Sequence, residues 1–381
     1  MFTRRQRFVK RIAIWMTAFL CMLGLVMSAA AVGTAQAAPK NGGIISPWSP
    51  PPSKSLYNVP KTRGTSAQVY TYVNELVRAI NATPRGEFIR LSTFLTSYKP
   101  VVDALLKAHR RGVHVRFITW QEDYRKDKKI LDTLKHELGT NIRALSYLKI
   151  CHKSCYSNSG TQHAKIVLIS RIINKTGKGV KYVSFIASGN ITTDNVVNSW
   201  NHAQLITGRK KLYNGLVSYF DGMRYDRTHK NFKPVTDGAY TVYFYPTSKP
   251  FNPFYDALNH TTCKAAKRFG NNGRTVIRIA MYLWRNNTDY IAKRLATLAK
   301  QGCDVGVVVA KHPTEEKIIS ILKKGRVSLF NARGKKQYVH AKMGIISGTV
   351  SGKSVDMVVT GSLNFTRSSM VDCTDIALRM Y

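Results

Sequence analysis

The spacing of apolar positions changes along the chain, and each change marks an element. Val69, Val73, Leu76, Val77 and Ile80 recur at helical spacing over residues 66–82. Phe88 to Thr96 then reads as a strand. Val101, Val102, Leu105 and Leu106 form the inner face of a helix from Pro100 to Arg111, stopped by Gly112. The pattern continues with a strand (Val113 to Trp120), a charged helix (residues 123–138) and a strand (Asn141 to Leu148). An apolar β-branched run begins at Thr161, and a Gly/Lys turn at 174–179 leads into a strand from Val180 to Ala187. His202 to Thr207 predicts a strand and Lys210 to Arg224 a helix.

Residues 225–238 are polar and turn-rich, and beyond them the pattern restarts. Strands are predicted at Tyr240–Tyr245, Thr275–Leu283, Asp304–Ala310, Val327–Phe330 and Ser354–Thr360. Helices are predicted at Pro253–Phe269, Tyr290–Lys300 and Thr314–Lys324. The restart is a duplication, visible in the position numbers of matching residues. His163 recurs as His340 and Lys165 as Lys342, both at the same offset. A second shared offset relates Ser188 to Ser362, Asn190 to Asn364, Asn198 to Asp372 and Asn201 to Asp375. Upstream, Ile89 corresponds to Ile277 and Gly112 to Gly302 at nearly equal offsets. Two similar halves in which strand alternates with helix predict an α/β protein.

The duplicated polar residues carry the candidate chemistry. A single H-x-K is common. Two copies, each followed at a similar distance by S-x-N, form a specific pattern. On a strand, a period of two places the His and Lys of each copy on one face. Lys165, Lys342, Asn190 and Asn364 are suited to holding the non-bridging oxygens of a phosphodiester. One imidazole can attack phosphorus and the other can protonate the leaving alcohol. No metal or other cofactor is called for, since the cations are side chains.

These motifs resemble those of the phospholipase D superfamily, whose members carry two H-x-K-x₄-D motifs, each with a downstream G-S/G-x-N. The resemblance spans most of the chain after its N-terminal segment. It implies two similar α/β/α sandwich domains related by pseudo-twofold symmetry, with the site at their seam and a phosphohistidine intermediate. Residue by residue, it implies His163 as nucleophile, His340 as general acid and base, and Lys165, Lys342, Asn190 and Asn364 as phosphate binders. Ser188 and Ser362 fall in the accompanying motif. The chain departs from the pattern in three places. Ser170 and Ser347 stand where the motif Asp belongs, and Ala187 replaces the first Gly of the first S-x-N motif. An acidic residue after the Asn is also expected to orient each His. The second half offers Asp372 or Asp375, whereas the first has only Asn198 and Asn201 in register. On that count His340 is expected beside a carboxylate and is the better proton carrier, with His163 the neutral attacker. Tyr282 and Trp284, at a strand end, are expected substrate contacts, and Trp120 and Trp200 are candidates to line the cleft.

Composition adds compartment and partner. The 381 residues carry 59 Lys and Arg against 20 Asp and Glu, a net charge of +39. With 44% hydrophobic residues the chain has enough apolar material for two cores. Its charge favours a polyanionic partner, an anionic membrane surface or nucleic acid. Arg4, Arg5, Arg7, Lys10 and Arg11 precede an apolar run and Ala35-Gln36-Ala37. This is the pattern of a secretory signal peptide cleaved near Ala37, giving a secreted protein of charge +34 once those five basic residues are removed. The organisation expected is a signal peptide (1–37), an extended arm (38–65), a first domain (66–230) and a second (231–381). Export permits disulfides. Cys151–Cys155 is the main expectation and Cys263–Cys303 a second, with one thiol left over. The function favoured is a secreted phospholipase D-type phosphodiesterase giving phosphatidate and an alcohol. A metal-independent secreted nuclease is the alternative, and an inactive basic polyanion-binding protein ranks last. No obligate protein partner is expected, since both motifs lie in one chain.

Overall fold

The computed structural model describes residues 44–310, 313–334 and 337–381. The expected signal peptide lies outside the described residues. Each half is built on a sheet. In the first, strands β2 (Phe88–Ser92), β3 (His114–Trp120) and β4 (Tyr147–Cys151) run parallel. Antiparallel strands β5 (Ile166–Ile173), β6 (Gly179–Ala187) and β7 (Ser199–Ile206) extend it from β2. Strand β1 (Ser53–Asn58) pairs antiparallel with β7, so the predicted arm supplies a strand rather than a free extension.

The second sheet follows the same plan. It contains β8 (Val235–Asp237), β9 (Tyr240–Phe244), β10 (Thr261–Thr262), β11 (Val276–Met281), β12 (Asp304–Val309) and β13 (Ser328–Asn331). It continues with β16 (Lys342–Val350), β17 (Lys353–Gly361) and β18 (Ile376–Met380). The hairpin between β13 and β16 departs from the plan. Its strands, β14 (Arg333–Gly334) and β15 (Gln337–Val339), leave their own half, and β15 pairs parallel with β7 of the first sheet.

Apolar periodicity decides which faces are covered. Ile89 and Leu91 of β2 pack against Val73, Leu76 and Ile80 of α1 (Thr71–Asn81) and Val101 and Leu105 of α2 (Lys99–Arg110). The opposite face is covered by α3 (Lys210–Met223), whose Leu212, Leu216 and Phe220 meet Ile118, Leu168 and Ile186. The same cluster takes in Val242, Phe244, Ile376 and Leu378 of the second half. The described residues fall in one compact unit. Each fully buried side chain of that shared cluster contributes about 1.5–3 kcal/mol, so the seam is itself core.

In the second half, α4 (Pro253–Asn259), α5 (Asp289–Lys300) and α6 (Glu316–Lys324) all pack on the face of Ile277, Ile279 and Ile346. None of these helices lies on the other face of β11, β12 and β13.

Two sequence expectations shift. The strand predicted at Asn141–Leu148 begins only at Tyr147, because Asn141 closes a turn onto Arg143 and Ala144. The helix predicted from Pro253 to Phe269 stops at Asn259. The β-branched pair Thr261-Thr262 joins β16 instead, and Cys263 is tied to Cys303. Both expected disulfides are present, and Cys373 is the free, buried thiol. The Cys263–Cys303 bridge spans 40 residues and Cys151–Cys155 spans 4. Loop-closure entropy gives the longer bridge about 4 kcal/mol and the shorter about 2 kcal/mol. Cys263→Ser is therefore expected to lower the unfolding free energy more than Cys155→Ser does, as read from urea titrations.

Candidate active site

Each H-x-K lies at the mouth of a strand rather than within it. β5 begins after Lys165 and β16 at Lys342, so both histidines sit on extended segments before the ladders. Those segments are pinned by the opposite half. The His163 backbone N–H donates to Thr374 O at 2.9 Å, and that of His340 donates to Trp200 O at 2.9 Å. Trp200 and Thr374 share the offset that relates Asn201 to Asp375, so the two contacts are one contact repeated about the pseudo-twofold.

The side chains cross in the same way. His163 Nδ1 lies 2.9 Å from Asp375 Oδ1. His340 Nδ1 lies 3.1 Å from Asn201 Oδ1. The motif serines lock these partners: Ser362 Oγ donates to Asp375 Oδ1, and Ser188 Oγ donates to Asn201 Oδ1 at 3.1 Å. The amide nitrogen of Asn201 donates to Ser199 Oγ at 2.5 Å and Asn195 O at 3.1 Å, which fixes its oxygen toward His340. Each Nδ1 therefore faces an oxygen that accepts its proton, which directs Nε2 to the chemistry; at His340 the Lys342 ammonium also lies 3.1 Å from Nδ1 and 3.3 Å from Nε2.

The phosphate-binding candidates are buried polar groups with spare capacity. Lys165 and Lys342 are 2% and 3% exposed. The Lys165 ammonium donates to His163 O, and that of Lys342 to His340 O at 2.6 Å and Ser188 O at 3.3 Å. Neither meets a carboxylate directly. Asn190 and Asn364 are buried, and the Oδ1 atom of each has no partner. They sit on matching turns, each followed by a short helix capped by Thr192 or Thr366. Gly189 in the first turn is required by packing, since a Cβ there would lie 2.7 Å from Asn201 Cγ.

Burial drives the two lysines and the two histidines toward neutrality. It brings the Lys165 ammonium down to about 7 and holds that of Lys342 well below its ordinary value, helped by Lys165. His163 is lowered to about 4 by burial and by Lys165, with Asp375 opposing. His340 is lowered well below its ordinary value by burial, and it feels Lys342, Lys165 and His163. The histidines and lysines thus share one electrostatic site. An entering phosphate diester would return charge to the lysines, so this is a site made for an anion.

The PLD-like domain family described as "Cardiolipin synthase, PLD-like domain" matches residues 76–224 and 270–381. The chain belongs to the phospholipase D superfamily. Among solved structures, yeast tyrosyl-DNA phosphodiesterase is similar at 9% identity, with a TM-score of 0.47 over 86% of this chain and 90% of that one. Polyphosphate kinase from Porphyromonas gingivalis is similar at 13% identity and a TM-score of 0.48. That match covers 86% of this chain but 47% of the kinase, so the chain spans about half the kinase's length. The phospholipase D family member Nuc from Salmonella typhimurium is similar at 19% identity, with a TM-score of 0.27 over 39% of this chain and 84% of that one. No curated protein matches the chain.

Within this phospholipase D-like site, the structure brings together His163, Lys165, Asn190, His340, Lys342 and Asn364, with Ser188, Ser362 and Asp375 behind them. It corrects the expected pairing. Asp375 is the partner of His163, not of His340, because the segment after each Asn crosses the seam, so the expectation that His340 is the carboxylate-backed proton carrier does not hold. Asp372 touches neither histidine; its carboxylate accepts from Ser159 Oγ at 3.0 Å. Ser170 and Ser347, five residues past the lysines, sit about 17 Å along their strands. There Ser170 Oγ accepts from the Phe88 N–H and donates to Glu87, and Ser347 Oγ accepts from the Gly270 N–H. Of the aromatic candidates, Tyr282 lies 4.4 Å from the His340 ring, but Trp284 is wholly buried against Phe365. Trp120 stacks on Phe94, which contacts His163 edge-on at 5.2 Å. Trp200 packs beside Val339 in the small cluster that includes Tyr282.

Phe94 and Tyr338 were not singled out in the sequence. Phe94 precedes Tyr282 by the same offset that separates Ile89 from Ile277, so the repeat itself carried that signal. Tyr338 reaches the first half through its hydroxyl, 2.7 Å from Asp194 Oδ2, and only the strand exchange of β15 explains it. Among the described residues no group of three or more His, Cys, Asp or Glu is placed to hold a metal ion.

Proposed function

We propose that the chain is a phosphodiesterase that hydrolyses a phospholipid to phosphatidate and an alcohol through a phosphohistidine on His163. The observation that supports it is the pair of unequal imidazoles, one backed by a carboxylate and one by an amide, with two buried lysines beside them. Nε2 of His163 attacks phosphorus, and the bond to the leaving alkoxide breaks as His340, which takes up a proton on Nε2 when the anionic diester enters, gives that proton to the oxygen. The phosphorylated ring is cationic, and Asp375 at 2.9 Å offsets that charge. Water then attacks phosphorus in the reverse geometry, with His340 taking its proton as the Nε2–phosphorus bond breaks and frees His163. Lys165, Lys342, Asn190 and Asn364 hold the equatorial oxygens throughout.

The phospholipid reading is favoured by the apolar surroundings of His340, where Val339, Ala341, Ala310 and Tyr282 form one cluster. The net charge of +39 favours a second reading, a nuclease. Secretion is part of both proposals. The test is parallel incubation, in EDTA, with phosphatidylcholine in mixed micelles and with plasmid and single-stranded DNA. Choline release is the expected result, and nicked DNA without choline release would replace the first reading by the second. His163→Ala and His340→Ala are each expected to lower the observed activity by at least about 10³-fold. Full activity in either variant would end the two-histidine mechanism.

A further inference from the structure

The first half covers this face of the second sheet at β9 and β18; over β11, β12 and β13 no helix of the described residues covers it, and there it leads to the active site. On β11 and the residue after it, Arg278, Ala280 and Tyr282 alternate toward that face. The register builds rows across it. Ile345, Arg278, Gly306 and Ser328 make the outermost row, and Met343, Ala280, Val308 and Phe330 the next. A cavity of about 400 Å³ lies over these two rows. The third row is Ala341, Tyr282 and Ala310, which packs with Val339 and Trp200 and ends on the His340 ring. From Arg278 to Tyr282 the track runs about 13 Å. At its outer edge Phe330 is 63% exposed.

The equivalent face of the first half is built differently. There Arg90 and Arg116 depend on α3, both pairing with its Asp221 at 3.3 and 3.1 Å. Arg278, the repeat counterpart of Arg90, instead pairs with Asp304 on the adjacent strand at 2.8 Å. Its charge is met without a helix. Gly306, the counterpart of Arg116, has no side chain, and a Cβ there would lie 3.1 Å from Arg278 Cδ. The glycine therefore deepens the floor where the first half carries an arginine.

We propose that this track is an acyl-chain subsite, taking one hydrocarbon chain of a phospholipid whose phosphate sits between the two H-x-K motifs. The inference rests on the phospholipid reading above. Continuity argues for this occupant: the apolar row of Met343, Ala280, Val308 and Phe330 leads through Tyr282 to the imidazole that serves the phosphate, and a phospholipid is the diester that joins a phosphate to hydrocarbon. In an in-line displacement the retained ester oxygen is equatorial. The diacylglyceryl group therefore leaves the cleft sideways, past Tyr282.

Three variants test it: Phe330→Ser at the exposed rim, and Ile345→Ser and Val308→Ser on the floor. Each is assayed on a long-chain phosphatidylcholine, a short-chain one, and bis(p-nitrophenyl) phosphate, with thermal unfolding to verify the fold. Each buried methylene is worth about fourfold in affinity. The floor variants are thus expected to raise KM for the long-chain lipid about tenfold. KM for the short-chain lipid should move less, and turnover of the soluble diester should not change. Unchanged long-chain KM in folded variants overturns the subsite while leaving the phospholipid reading in place. Equal losses on all three substrates also overturn it, since the floor would then act through the catalytic centre. Hydrolysis of the soluble diester with no phosphatidylcholine cleavage removes the lipid reading and the subsite together. A solution dimer that Ile345→Ser dissociates would assign the face to a second copy instead.

Discussion

Replacing Asp375 by Asn is expected to lower turnover of a soluble phosphodiester about 10³–10⁴-fold with little change in KM. The carboxylate sits 2.9 Å from the Nδ1 that becomes part of a phosphorylated, cationic ring. It is fully buried, its Oδ2 has no partner among the described residues, and its Oδ1 is hydrogen-bonded to His163 and Ser362, while its charge also acts on Lys165 and Lys342. An amide would supply no charge, and if it turned its NH₂ toward Nδ1 it would impose the wrong tautomer. Steady-state kinetics with circular dichroism as a fold check measure the effect. The reciprocal variant, Asn201→Asp, separates the two roles. A carboxylate at 201 would stabilise protonated His340, moving the acid-dependent limb of the pH–rate profile to higher pH with a far smaller change in maximal rate. Equal losses in both variants, with no displaced limb, would make the two partners equivalent and refute the assignment of His163 as nucleophile.

The second large effect separates activity from stability. Lys342→Met is expected to cut turnover about 10²–10³-fold, because a cation facing the developing charge on phosphorus is lost. The free protein should become more stable by about 1–4 kcal/mol. Lys342 is 3% exposed, with carbonyl partners and no direct carboxylate. Lys165→Met should behave alike, and its pH dependence gives the sign. The unfolded chain holds a lysine proton up to about 10.5, whereas folded Lys165 releases it near 7. Between those values the unfolded state binds more protons, so stability rises with pH across that window, and Lys165→Met should lose this part of the slope. At lower pH the buried His163 and His202, both near 4, act in the same direction: stability falls as pH drops from about 6.5 to 4. Urea titrations at several pH values read both windows. A Lys165→Met variant less stable than the native protein at pH 7 would contradict the argument.

Much of this was legible beforehand because duplication made it so. Constant offsets aligned the H-x-K and S-x-N pairs, and strand–helix alternation with glycine stops placed β2, β3, β11 and β12 correctly. What the sequence hid were contacts between distant segments. Asn201 and Asp375 were visible as equivalent positions, but nothing local shows that each serves the other half's histidine. The backbone bonds from His163 to Thr374 and from His340 to Trp200, with the side-chain bonds beside them, reveal the crossing. The strand exchange of β15 and the pairing of β1 were hidden for a similar reason. Strands of three and six residues carry weak periodicity, and edge pairing depends on what lies beside them. His202 was read only as the first residue of a strand, yet its Nδ1 lies 2.8 Å from Thr360 Oγ1 across the seam, with Nε2 unpartnered.

The crossed bracing also limits how the two halves can diverge. A substitution at 375 is felt by the histidine of the first half, and one at 201 by the histidine of the second. Exchanging a whole half with that of another duplicated protein would therefore separate each histidine from the residue that orients it. Such hybrids can keep all six motif residues, fold around an intact seam, and still present two misdirected imidazoles. The inheritable unit of this site is the pair of half-chains matched at positions 201 and 375, not the H-x-K motif.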